Sequence, residues 1–304
     1  MLTRFTVFTL LRSIPSSPHF SRIRSSNLQP LYQCAMSTSS NFHLNPSIFN
    51  RTLYDRVTET WFQDLGTSGH EFHNSIVTRW FIPTPKERAA FDEVCRGSFS
   101  HALEAIGPDA FPAATAQPFV DELHRIAEQT STENGEEAAW TALSMALLLD
   151  QMPRNIYRTN AELPLVYKHY DRMALQLSRT LLSPSSPIPR PDLHPIFRRS
   201  AAHRMWFYMP LIHSEDVSDH DLAHGIVAEF VKEVDGLDGY EGTQKFLEGY
   251  TKSAKEHREI LDRFGRYPHR NGALGRQSTE EEKRFIEEGG ATFGVAQEKK
   301  EAVL

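Results

Sequence analysis

From about residue 46 onward the apolar positions recur every three or four residues, the spacing of helices that bury one face. Phe49, Leu53, Val57 and Trp61 stand four apart. Thr84-Pro85-Lys86-Glu87 has the form of a capping box with proline in the first turn, and Phe91, Val94, Ala102, Leu103 and Ile106 follow it as one stripe. Phe119, Leu123, Ile126 and Ala127 make another. Residues 136–151 are apolar on nearly all faces, which predicts a central buried helix. Further helices are predicted over 161–182, 195–210, 218–235 and 241–264. Ser278-Thr279-Glu280-Glu281-Glu282 opens a last one, stopped by Gly289-Gly290. The Pro-rich stretch 183–195 reads as a peripheral loop. No run alternates as a strand does, and no helical-repeat consensus recurs at a fixed period. The expected fold class is all-α: an irregular antiparallel helical array of roughly nine helices.

Charge changes the picture at the N-terminus. Residues 1–54 hold Arg4, Arg12, Arg22, Arg24 and Arg51 and no acid, so this segment is +5 and the rest of a chain of net charge −6 is −11. An Arg- and Ser-rich, acid-free start interleaved with Phe5, Phe8, Leu10 and Leu11 is the composition of a mitochondrial transit peptide. Translation from Met36 would instead give a cytoplasmic form. The expected organisation is an extension over 1–41, a single α-helical domain over 42–294 and a tail over 295–304. The acidic body argues against a nucleic-acid partner. No apolar run approaches the ~20 residues of a membrane-spanning helix. Two cysteines, Cys34 and Cys95, are too few for a disulfide framework, and Cys95 sits in a helical stripe as a core residue rather than a nucleophile. Trp61-Phe62 and Trp80-Phe81 read as core anchors.

Three polar clusters interrupt the apolar helices. The first follows Leu149: Asp150, Gln151, Arg154, Asn155 and Arg158. If the helix persists past Pro153, then Asp150, Arg154 and Arg158 share a face. The arginines suit bidentate binding of a phosphate or carboxylate, and an Asp150–Arg154 pair locking a helix end is the purely structural alternative. The second cluster follows Pro210: His213, Glu215 and Asp216, residues suited to acid–base chemistry or, for Asp216, to helix capping. Asp216, His220 and His224 also have a spacing that can hold a metal, but no metal is assigned. The third is a Gly- and Pro-punctuated basic loop with Arg263, Arg266, His269, Arg270, Asn271 and Arg276, either a ligand loop or a solvated one.

These three clusters resemble the signatures of domain of unknown function family 924, a family of bacteria and fungi. Trp61-Phe62, Trp80-Phe81 and Gly290-Ala291-Thr292-Phe293 match its opening and closing elements, so the likeness spans about 47–294. His220 stands where the family has Gln, which weakens the metal spacing. The resemblance implies an all-helical, tetratricopeptide-like fold and no established activity or cofactor. Two functions remain open at this point. One is a cleft where the arginines bind a small anion and His213 or His269 moves a proton, oriented by Glu215 or Asp216. The other is a scaffold holding a peptide, with the polar clusters bracing helix ends.

Overall fold

Asn50 starts the first helix, α1 (Arg51–Phe62), by accepting from the backbone N–H groups of Thr52 and Leu53. The computed structural model describes residues 42–69, 74–81, 83–130 and 134–293, all within the unit Ser40–Leu304. The targeting segment and the C-terminal tail of the sequence analysis lie outside the described residues. A short α2 (Asn74–Phe81) follows, then α3 (Pro85–Ala105), opened by the Thr84–Glu87 capping box that the sequence predicts. Cys95, Phe99, Ala102 and Leu103 carry the buried face of α3, whereas Val94 is half exposed. The apolar stripe therefore turns through Cys95 and Phe99 rather than Val94.

After α4 (Gln117–Gln129) comes the centre of the domain, α5 (Glu136–Ile156). Every residue from Thr141 to Asp150 is buried. α1, α3 and α4 pack around it, so it has no solvent face for most of its length. A continuous apolar surface is what such a position requires.

The second half is more broken than its periodicity suggests. The predicted helix over 161–182 consists of α6 (Leu163–Leu165), a π-helical turn (Val166–Tyr170) and α7 (Asp171–Leu182). The predicted helix over 195–210 becomes α8 (Ala201–Arg204), a 3-10 turn (Met205–Phe207) and α9 (Met209–Ile212). Pro195 and Pro210 lack the N–H that a continuous helix would need. α10 (Val217–Val234) and α11 (Glu241–Phe264) stand where expected. A 3-10 turn (Pro268–Arg270), α12 (Asn271–Leu274) and α13 (Glu280–Glu287) close the domain. The described residues are all-α with more helical segments than nine, because π and 3-10 turns divide the predicted ones and α2 and α12 are added.

The Pro-rich stretch 183–195 is not peripheral. Asp192 is fully buried and binds Arg190 (2.6 Å) and the hydroxyl of Tyr208 (2.8 Å). Arg204, also buried, donates to the same hydroxyl (2.7 Å) and to Glu233 (3.1 Å), with its guanidinium 4.0 Å from the Phe230 ring centre. A buried carboxylate is tolerable only with such partners, and they fix the loop to α8 and α10. No helix among the described residues is long and apolar enough to cross a membrane.

Candidate anion-binding cleft

α5 continues for most of a turn beyond Pro153, so Asp150 and Arg154 sit one turn apart on the same face. The Arg154 guanidinium binds Asp171 with two bonds (2.5 and 3.0 Å) and approaches the Asp150 carboxylate to 3.5 Å. Burial works against the charge of Arg154, but Asp150 and then Asp171 outweigh it and strengthen its hold on the proton. The chain leaves the helix at Tyr157, so Arg158 does not extend the Asp150–Arg154 face. It turns instead to Asp92 on α3 (2.7 and 3.0 Å).

The second cluster meets the first through one contact: His213 Nδ1 lies 2.7 Å from Asp150 Oδ1. Burial opposes the carboxylate's charge, yet Arg154 and then His213 hold Asp150 at about 2. His213 is shifted below the ordinary histidine value, first by burial and then by the Arg154 charge. At neutral pH the contact is therefore Nδ1–H donating to a carboxylate, an assignment that follows because a carboxylate only accepts. That tautomer leaves the lone pair on Nε2.

Glu215 and Asp216 have other partners. Glu215 accepts from Arg276 (2.7 and 2.9 Å) and from the backbone N–H of Tyr267 (2.9 Å), which ties the second cluster to the third. Asp216 caps α10 by accepting from the Ser218 N–H (2.9 Å) and is exposed. His220 Nε2 is 3.0 Å from the Ser214 carbonyl, while His224 is exposed. Among the described residues, no group of three or more side chains that could hold a metal is formed, so the Asp216–His220–His224 spacing does not assemble one.

In the third cluster Gly265 ends α11 at φ +67°, a conformation that suits glycine. Arg263 then binds Glu281 (2.8 Å) on the surface, and Arg266 grips the buried Glu282 with two bonds (2.6 and 2.8 Å). Asn271 donates to Ser278 (3.1 Å) and accepts from Arg276 (2.9 Å). Arg263, Arg266 and Asn271 thereby tie the end of α11 and the loop after it to α13, and Arg276 ties that loop to Glu215. His269 and Arg270 are placed differently: both line a cavity.

The cavity has a volume of about 430 Å³ and a wall drawn from α1, α2, α3, α5, α6, α9 and α11, the turns beside them and Phe293 beyond α13. Gln151, Arg154, Asn155 and Arg158 reach it from the first cluster, His213 from the second, and His269 and Arg270 from the third. Asp150, Glu215, Asp216, Arg263, Arg266, Asn271 and Arg276 stand outside its lining. Among the described residues the lining holds five arginines and no Asp or Glu.

Arg270 is the most unusual of the five. It is only 8% exposed, yet it has no carboxylate partner among the described residues and its Nε has no hydrogen-bond acceptor. Its guanidinium lies between Tyr167 and Tyr267, 4.7 Å from each ring centre. Two cation–π contacts offset about 2 kcal/mol each when desolvated, against the several kcal/mol of burying a charge. Arg79 and Arg88 also line the cavity without a carboxylate partner among the described residues. Burial eases loss of the Arg79 proton, its side chain donates to the Trp61 carbonyl, and its Nε is buried without an acceptor.

Arg79, Arg88, Tyr167 and His257 belong to this site and carry no signal in the sequence analysis. Tyr167 reaches it from the π-helical turn, an irregularity invisible in apolar spacing. Arg79 had a neighbouring clue in Trp80. Trp61, Trp80 and Phe81 all line the cavity as well as packing with one another.

Comparison with known proteins adds the chain's relatives. Residues 57–290 match the family described as bacterial protein of unknown function (DUF924). Among curated proteins there is no match. A solved structure, the protein of unknown function ATU0120 from Agrobacterium tumefaciens, is similar at 26% identity with a TM-score of 0.50, over 81% of this chain and 100% of that one. With most of its length matched by one family, the chain belongs to DUF924.

Proposed function

We propose that the cleft binds a small anionic molecule and that His213 serves as a base towards it. The observation that carries this reading is Arg270: a buried guanidinium with no carboxylate partner among the described residues, facing a cavity whose described lining holds no acid, is an electrostatic deficit that a ligand phosphate or carboxylate removes. Arg79 and Arg88 add two more cations with no carboxylate ion pair among the described residues. Arg154 and Arg158 contribute positive charge already shared with Asp171 and Asp92. Gln151 and Asn155 supply amides to the same wall. His213 Nε2, with Nδ1 held by Asp150, has the tautomer of a proton acceptor. In this reading Glu215 positions the third cluster, and Asp216 caps a helix. His269 lines the cleft as a neutral imidazole, held at about 3 by burial and then by Arg270.

A tetratricopeptide-like scaffold that grips a peptide is the rival. It would favour a face lined by apolar, Asn and Lys side chains outside the three clusters. Among the described lining residues, seven come from those clusters, five are arginines and none is lysine.

The test is a thermal-unfolding titration of the full chain with inorganic phosphate, run beside Arg270→Met. Phosphate at 100 times its dissociation constant stabilises the native protein by about 2.7 kcal/mol. The expected result is a rise in Tm for the wild type and none for the variant. An equal rise in both, or none in either, overturns the reading.

A further inference from the structure

We infer that the anion carried into this cleft is attached to an aromatic ring, so that the ligand is an aryl or heteroaryl phosphate. The inference rests on the anion-binding reading and adds the chemistry of the ligand's body. Eight of the twenty-two lining residues are Phe, Trp or Tyr. Most of these rings are committed to the protein. Trp61 is 3% exposed and packs against Trp80 (6.0 Å between ring centres), Phe91 (5.8 Å) and Trp206 (4.8 Å). Phe81 differs. It continues the same wall, 6.3 Å from Trp80 and stacked at 6.1 Å on Trp206, yet it is 42% exposed.

Five large apolar side chains are conspicuously exposed among the described residues, and only two of them are aromatic: Phe81 and Phe293. Both line this one cavity. An aromatic face left open to water inside a cationic cleft loses contact energy that a flat ring would supply. Phe81 lies two residues from Arg79, whose guanidinium is 5.9 Å from the Trp80 ring centre, so ring wall and cation share one short helix. Arg88 stands on the neighbouring α3, one turn from Phe91. A phosphate on these arginines places a directly attached ring within reach of Phe81. A bare inorganic anion or an aliphatic phosphate would leave that face uncovered.

The experiment compares methyl phosphate, phenyl phosphate and adenosine monophosphate by titration calorimetry on the full chain and on Phe81→Ala. Base–aromatic stacking raises affinity by about tenfold or more. The wild type is expected to bind phenyl phosphate at least tenfold more tightly than methyl phosphate, and more tightly than adenosine monophosphate. Phe81→Ala is expected to lose most of that preference while binding methyl phosphate unchanged. Tighter binding of adenosine monophosphate than of phenyl phosphate overturns the directly attached ring, because the nucleotide's base is held away from its phosphate by ribose. Equal binding of all three by the wild type overturns the aromatic inference and leaves the anion site standing. A preference that survives Phe81→Ala also overturns it. Binding of none of the three sinks both the inference and the reading beneath it.

Discussion

His213 and Asp150 are 63 residues apart in the chain and 2.7 Å apart in the fold, and this contact joins two of the three polar clusters. Its strength depends on an ionised Asp150, which Arg154 secures. Asp150→Asn leaves Arg154 and His213 facing a neutral amide. Breaking one partner of a buried ion pair costs about 3–5 kcal/mol, so urea denaturation at pH 7 should register a loss of that order. Combining Asp150→Asn with His213→Leu should cost less than the sum of the two single variants, because the first already removes the acceptor of His213. A double variant less stable than the sum of the singles would contradict the pairing. In the wild type, nitrogen NMR should find His213 protonated on Nδ1 and bare on Nε2 at pH 7.

Arg270 predicts the opposite sign. Met has similar length and no charge, so Arg270→Met removes a desolvated cation while keeping contact with Tyr167 and Tyr267. Replacing a buried charge with an apolar side chain is often neutral or stabilising by about 1–4 kcal/mol. The expected outcome is an unliganded protein at least as stable as the wild type in denaturant, with phosphate binding lost. A large destabilisation would mean that Arg270 serves the fold.

Acid should unfold this protein early. Burial, the leading cause in each case, depresses His203, His257 and His269 to about 3. The ordinary value in an unfolded chain is about 6.5. Below that value the unfolded state takes protons that the native state refuses, so stability is complete above it and drains as pH falls towards 3. Three such groups give a slope of roughly 4 kcal/mol per pH unit. Denaturant midpoints measured from pH 7 to 4 should fall steeply, and His203→Asn should flatten the curve.

A pair of glycines gives a test of the backbone. Gly69 has φ +76°, a β-carbon there would collide with the Arg199 carbonyl oxygen, and the Gly69 carbonyl accepts from the Thr243 hydroxyl (2.6 Å). Gly97 lies in the exposed middle of α3 with open space beside it. Gly69→Ala should cost more than 1 kcal/mol, and Gly97→Ala should stabilise by about 0.5–1 kcal/mol. Thermal unfolding of the two variants reads both signs.

Helices that depend on one continuous pattern were legible from the residues. The α11 boundaries, the Thr84–Glu87 box and the buried α5 all follow from local spacing, capping and apolar runs. The three clusters were legible too, because polar residues at apolar helix ends are conspicuous. Their division of labour was not. Arg266 and Arg270 look alike in the loop, yet one is neutralised by Glu282 on α13 and the other faces a cavity. Only tertiary partners separate them. Asp192 shows the same limit, since a Pro-rich stretch gives no sign that Arg204 and Tyr208 will enclose its carboxylate.

The Glu215–Arg276 tie also has a meaning in time. Chain synthesis delivers the anchor Glu215 about sixty residues before the arginine that neutralises it. Until then the half-built cleft has Arg79, Arg88 and His213 but neither Arg270 nor the brace behind it. A nascent or truncated chain ending at α11 thus exposes an unfinished acidic contact where the complete one has a closed loop. Such non-local closure carries an entropic cost, so the wall of the cleft is complete only once Arg276 has joined Glu215.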